Sequence, residues 1–381
     1  MLRYFIQVVE NLFTTAVLMA LLWAAAYRGG PNWKKRFAWG CAAGTGGALV
    51  LAVLRRATAL VNRSVVNGWT LSFALIAGIA YLALFWGFLK KRSPQTHETL
   101  SGSAGVLLGA ALLFYALPDI FFYPTEFLLA GESPFSTAFL FKCAGYAGGI
   151  LVTALTGIAL FLLAGNTPVL PRGIILTAAL GINMVNQSAS IIQFLFARRI
   201  IPMIRGLFTF MMVAINHNVL FLYAVLGISF FLPLIVFAAS LRLKPLYRNP
   251  AEHRKIRAGE RRKRRRCVTV LAGYGVALVS LTALKAYSER PVVLSPAEPM
   301  TLAGTEILIP ISQVEDGRLH RFEYTASDDT GVRFIVIKKN DAAYGVGLDA
   351  CDICGATGYY ERKDEVICRL CDVVMNISTI G

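Results

Sequence analysis

The sequence predicts an α-helical polytopic membrane protein of about eight spans with a small extracytoplasmic, β-rich tetracysteine domain that holds a metal or an iron–sulfur cluster. Three observations predict this. Of 381 residues, 56% are hydrophobic and only 16% charged, against about 25% charged in a soluble domain. Long apolar runs recur, each close to the length that crosses about 30 Å of hydrocarbon. Near the end, in a polar region, stand two CxxC pairs, Cys351 with Cys354 and Cys368 with Cys371.

Residues 1–240 form a membrane bundle of about seven spans: 4–27, 36–54, 69–89, 102–117, 137–164, 173–197 and 218–240. The first exceeds a signal-peptide core in length, so a retained helix is expected. The fourth is short, and Pro118 with Asp119 is expected to end it. Residues 206–216 are apolar but too short to span, and fit an extension of the seventh span or an interfacial piece. Residues 241–267 read as a basic cytoplasmic loop, which holds 12 of the 38 Lys and Arg residues. An eighth span follows at 268–287, then a proline-bearing linker at 288–303 and the tetracysteine domain at 304–381.

Charge orients the bundle. Loops after spans 1, 3, 5 and 7 carry 20 Lys and Arg residues and the opposite loops carry six. Positive loops stay in the cytoplasm, so both termini and the cysteine domain are expected outside the cytoplasm. The net charge of +16 is accordingly read as a topology signal with affinity for anionic membrane lipids, not for nucleic acid.

The domain itself shows short β-like runs at 306–311, 319–325, 332–338 and 344–348. Asp316–Gly317 and Asp328–Asp329 are turn signals between them. Two CxxC knuckles separated by 13 residues suit a tetrahedral metal ion or an iron–sulfur cluster, and cysteine ligands alone do not choose the metal. Disulfides or dithiol exchange are the competing chemistry, since thiols oxidise outside the membrane. Gly355 after the first knuckle suits a turn that needs positive φ. Residues 358–361 and 366–367 suggest a hairpin between the knuckles. Cys41, Cys143 and Cys267 sit in or beside apolar spans and read as small buried side chains.

Several polar residues fall within spans. Glu10 is an ionisable group at depth, and such groups are functional candidates. Lys142 stands near a span end. Asn183, Asn186, Gln187 and Gln193 lie close to one face of span 6, as a hydrogen-bonding seam, an ion path or a quinone site. His217 has no second histidine within a span, which disfavours bis-histidine haem. Arg55, Arg56, Arg198 and Arg199 run against the charge rule and suggest snorkelling to phosphates or an anion patch. The Gly44–Gly47 cluster suits helix packing. No Walker loop, strand-borne Rossmann fingerprint, HExxH or RExxE pattern is present.

VRFIVIK, LDACDICGATGYY and VICRLCDVVMNISTIG, between Val332 and Gly381, resemble the FtrD-like membrane iron–sulfur family. The resemblance implies that Cys351, Cys354, Cys368 and Cys371 are the ligands. It implies an iron–sulfur cluster or mononuclear iron, and electron transfer at a bacterial cytoplasmic membrane, beside ferrous iron uptake systems with periplasmic copper-containing and permease partners. In that family the chain usually continues past this glycine to another cysteine, whereas the sequence here ends at Gly381. A quinol or a flavoprotein is a candidate donor. Two rival functions are a transporter or scaffold with a structural zinc domain, and a thiol–disulfide exchanger.

Overall fold

The computed structural model describes residues 2–28, 31–58, 61–87, 94–127, 136–242, 247, 249–288, 290, 292–304, 306–326, 329–340, 342–351, 354–362, 365–370 and 373–380. They fall into two compact units, Met1–Ser288 and Glu289–Gly381.

In the first unit the helices are α1 (Leu2–Arg28), α2 (Pro31–Ala57), α3 (Arg63–Phe85), α4 (Pro94–Phe122), α5 (Thr137–Ala164), α6 (Val169–Ala197), α7 (Arg205–Asn216), α8 (Asn218–Arg242) and α9 (Pro250–Val279). Among the described residues eight helices are long and apolar enough to cross a membrane. α1 is the most enclosed, with Val9, Phe13, Val17, Leu18 and Leu21 buried, and it packs on α4, α5 and α8. Helices in lipid associate by close packing more than by hydrophobic expulsion. Gly44 shows this: a methyl there would stand 2.5 Å from the carbonyl oxygen of Ala110, so only glycine lets α2 lie so near α4.

The fourth span does not stop at Pro118. α4 runs through it to Phe122, as membrane helices can where neighbours satisfy the freed backbone. Asp119 beyond it accepts from both Arg55, at 3.0 Å, and Arg63. Arg55 therefore ties α2 to α4 instead of reaching for phosphate. Residues 206–216 fall in a separate 12-residue helix, α7, broken from α8 at His217.

The basic tract is also not a loop. Asn249 caps α9 by accepting from the Glu252 backbone at 2.8 Å, Pro250 fills the first turn, and helix continues through the arginines into the eighth span. Arg264 donates to the Ser240 carbonyl at 2.8 Å and so satisfies the end of α8. α9 passes into a π-helical turn at Ser280–Leu284 and a last helical turn, α10 (Lys285–Ser288). The Tyr223 hydroxyl meets the Leu281 carbonyl at 3.2 Å, replacing part of the regular ladder.

The second unit is built from antiparallel strands. β1 (Thr301–Ala303) pairs with β2 (Glu306–Leu308), and a short helix, α11, follows at Ile311–Val314. A three-stranded sheet orders β3 (His320–Thr325), β4 (Gly331–Asn340) and β5 (Ala343–Leu348). A second orders β6 (Tyr359–Arg362), β7 (Glu365–Cys368) and β8 (Val374–Met375). The expected strand stops at Leu308; residues 309–310 are irregular and Ile311 opens α11. Gly317 has φ +78° and Asp329 φ +61°, at two of the expected turn positions, while Asp328 lies outside the described residues. The proline-bearing segment does more than link: the Glu298 backbone donates to the Arg321 carbonyl at 2.7 Å, which ties it to β3.

Candidate metal centre

The first knuckle is closed by its own backbone. Cys351 donates to the Gly355 carbonyl at 2.9 Å and Gly355 returns a bond to the Cys351 carbonyl at 2.8 Å. Gly355 holds φ +69°, the left-handed value that an L side chain resists. Cys368 ends β7 opposite Tyr359 of β6, and its amide donates to the Val373 carbonyl at 3.0 Å. The β6–β7 hairpin, where the sequence suggested one, thus carries the second knuckle back to the first.

The result is a convergence. The Sγ atoms of Cys351, Cys354 and Cys368 all lie within 4.8 Å of one another. Sulfurs around one tetrahedral ion with bonds of about 2.3 Å stand about 3.8 Å apart, so these three fit a metal. Cys368 is only 1% exposed and the other two are partly buried. Leu319, Ile335, Val366 and Ile380 pack round the cluster, a water-poor setting for thiolates. Cys371, the fourth expected ligand, lies outside the described residues. The three remaining cysteines stand apart, in α2, α5 and α9.

A buried ion pair frames this site. Asp349, 1% exposed, accepts from Arg321 Nε at 2.8 Å and from the Tyr359 amide at 2.7 Å. Arg321, 2% exposed, also donates to the Ser295 carbonyl at 2.6 Å, to Ser295 Oγ at 2.8 Å and to the Tyr359 carbonyl. Asp349 stands two residues before Cys351, so the pair fixes the entry to the first knuckle against the hairpin that bears the second. Asp349 is part of the expected motif; Arg321 is not. Its only trace in the sequence is a charge at an inward position of a short β run.

His320 is held between two acids, with Nδ1 2.8 Å from Glu298 Oε1 and Nε2 2.7 Å from Asp316 Oδ1. Burial works to lower its pKa, but hydrogen bonding and charge from the two carboxylates outweigh that and raise it above 6.5. The bond from His320, helped by the Arg318 amide, lowers Asp316 below 3.8.

Residues 314–381 match the family model described as "Membrane iron-sulfur containing protein FtrD-like". No curated protein and no solved structure matches the chain. Eight helices, among the described residues, long and apolar enough to cross a membrane, a three-thiol cluster with the spacing of a metal site and the C-terminal family match fit a multi-pass membrane metal-binding protein.

Proposed function

We propose that the protein carries electrons at a bacterial cytoplasmic membrane through an iron or iron–sulfur site held by Cys351, Cys354, Cys368 and Cys371, in the service of ferrous iron uptake. The observation that carries this reading is the convergence of three thiols within 4.8 Å inside the region that matches an iron–sulfur family. Iron bound to thiolates supplies one-electron chemistry, tuned by burial and by hydrogen bonds to sulfur. The chain's own contribution is to hold the sulfurs close, to limit water around Cys368, and to lock the knuckles through Arg321 and Asp349. Thr357 Oγ1 lies 3.8 Å from Cys368 Sγ and is placed to modulate that sulfur. The loop charges support an extracytoplasmic position for the domain and for both termini, facing redox or iron-uptake partners outside, with a quinol or flavoprotein as donor.

Anaerobic purification of the full chain, with metal analysis and an optical spectrum, tests the reading. Iron with sulfur-to-iron charge-transfer bands is the expected result. Stoichiometric zinc without colour overturns it in favour of a structural site, and metal-free titrating thiols overturn it in favour of disulfide exchange.

A further inference from the structure

Within the bundle, α1, α3, α4, α6 and α8 line a polar cavity of about 200 Å³. Its lining includes Glu10 and the side chains of Asn183, Asn186, Gln187 and Ser190, which recur along one face of α6. Gln193 is not part of it, and Asn218 rather than its neighbour His217 lines the other side. Gln187 is only 6% exposed. Asn183 and Asn186 are partly buried, and their carboxamides line the cavity together with that of Gln187. Carboxamides facing a cavity offer both donors and acceptors to a polar group bound there. Lys285 Nζ sits 3.0 Å from both oxygens of Glu10, so the acid is already neutralised and leaves no spare cation for a phosphate.

A second, apolar cavity of about 550 Å³ adjoins the first, with Thr15 lining both. Met19, Trp23, Cys41 and Phe161 are among its walls.

We propose that the polar cavity binds the ring of an isoprenoid quinone or quinol, with the apolar cavity receiving its tail. A dry cavity of about 150 Å³ holds benzene, so about 200 Å³ holds one substituted ring. Carboxamides both donate and accept, which suits a ligand whose oxygens are acceptors when oxidised and donors when reduced. A bare cation path needs no 550 Å³ apolar annex, and a phospholipid headgroup would meet Glu10 without a free positive charge. The inference deepens the proposed function by naming its membrane redox partner. It rests on that reading only for the ligand's use, not for its binding.

The test is equilibrium binding of decylubiquinone to the full chain in quinone-free nanodiscs, followed by tryptophan emission, with metal content measured in parallel. Saturable binding, displaced by the tail-less ring duroquinone, is expected. Asn186→Leu and Gln187→Leu should each weaken it at least tenfold. Linear partitioning without saturation overturns the proposal, as does saturable binding that duroquinone fails to displace, or leucine variants that bind like wild type. If a leucine variant loses its helical content or elutes as aggregate, Asn183→Leu and the duroquinone competition on the wild-type chain decide the matter. Lost quinone binding with full iron content sinks this inference alone; intact quinone binding without iron sinks the proposed function alone.

Discussion

Arg321–Asp349 in the C-terminal unit and Glu10–Lys285 in the bundle are both inward-facing ion pairs, at 2.8 Å and 3.0 Å, yet they are built differently. Arg321 and Asp349 are almost wholly enclosed and each has further partners, on Ser295 and on both backbone groups of Tyr359. Among the described residues Glu10 is bonded by Lys285 alone, and it borders a cavity lined by carboxamides. A saturated pair acts as a clamp, because each charge is held by several dipoles as well as by its counterion. A sparsely bonded pair beside open polar groups keeps capacity for a ligand. Satisfaction of the surrounding groups, more than the ion pair itself, separates a structural role from a binding one.

The largest expected effect tests what the clamp serves. Cys368→Ser should abolish metal binding and remove the protease resistance of residues 289–381 in the full chain, since metal supplies on the order of 10 kcal/mol to small thiolate-bound domains. Cys41→Ser, Cys143→Ser and Cys267→Ser should leave metal content unchanged. Full metal occupancy in the Cys368→Ser chain would remove that thiol from the site.

Next comes the clamp itself. Asp349→Leu leaves Arg321 buried without its counterion, and a loss of about 3–5 kcal/mol is expected, read as a lower denaturant midpoint for protease protection of that unit. Adding Arg321→Met should recover most of the loss, because an apolar pair of similar volume avoids the uncompensated charge. A single variant as stable as wild type would show that the pair is not a clamp.

The bundle pair should behave more mildly. Glu10→Gln is expected to lower bundle stability by about 1 kcal/mol or less, in line with the small worth of polar contacts between membrane helices. Thermal melting in detergent checks this. A loss as large as that for Asp349→Leu would erase the proposed contrast.

The smallest effect is one of pH. Because His320 has a raised pKa, its contribution to stability is complete below about 6.5 and fades as pH rises through the raised value. Asp316 has a lowered pKa, so its contribution is complete above about 3.8 and fades as pH falls through the lowered value. Protease protection of the C-terminal unit should therefore weaken on the alkaline side, and His320→Asn should flatten that limb. An unchanged alkaline limb in the variant would assign the dependence to another group.

Much of this was legible in the residues. Apolar run length disclosed the eight spans, since a span must be long and apolar whatever its neighbours are. The CxxC spacing marked three thiols that now converge, because a knuckle places its two sulfurs by local turn geometry. Positive φ at Gly355 and the β6–β7 hairpin were equally local. Where local signals competed with distant partners, the reading failed. Pro118 looked like a helix end, yet α4 continues to Asp119, which is held by Arg55 and Arg63 from other helices. The basic tract looked like a loop because charge hides helical periodicity, while Asn249 and Ser240 support it as helix.

The class of the molecule, the number of its spans and the cysteine pairs to watch were all set by the residues alone. Those rest on hydropathy, length and short spacing, which act over a few residues at a time. Which charges meet depended on packing between distant elements. Lys285 reaches Glu10 across 275 positions after a π-helical turn at the end of α9, and Arg321 reaches Asp349 across a sheet. Packing also separated the polar face of α6 into residues that line a cavity and one, Gln193, that does not. Such pairings depend on how helices and strands pack, and no local pattern in the chain encodes the distance between them.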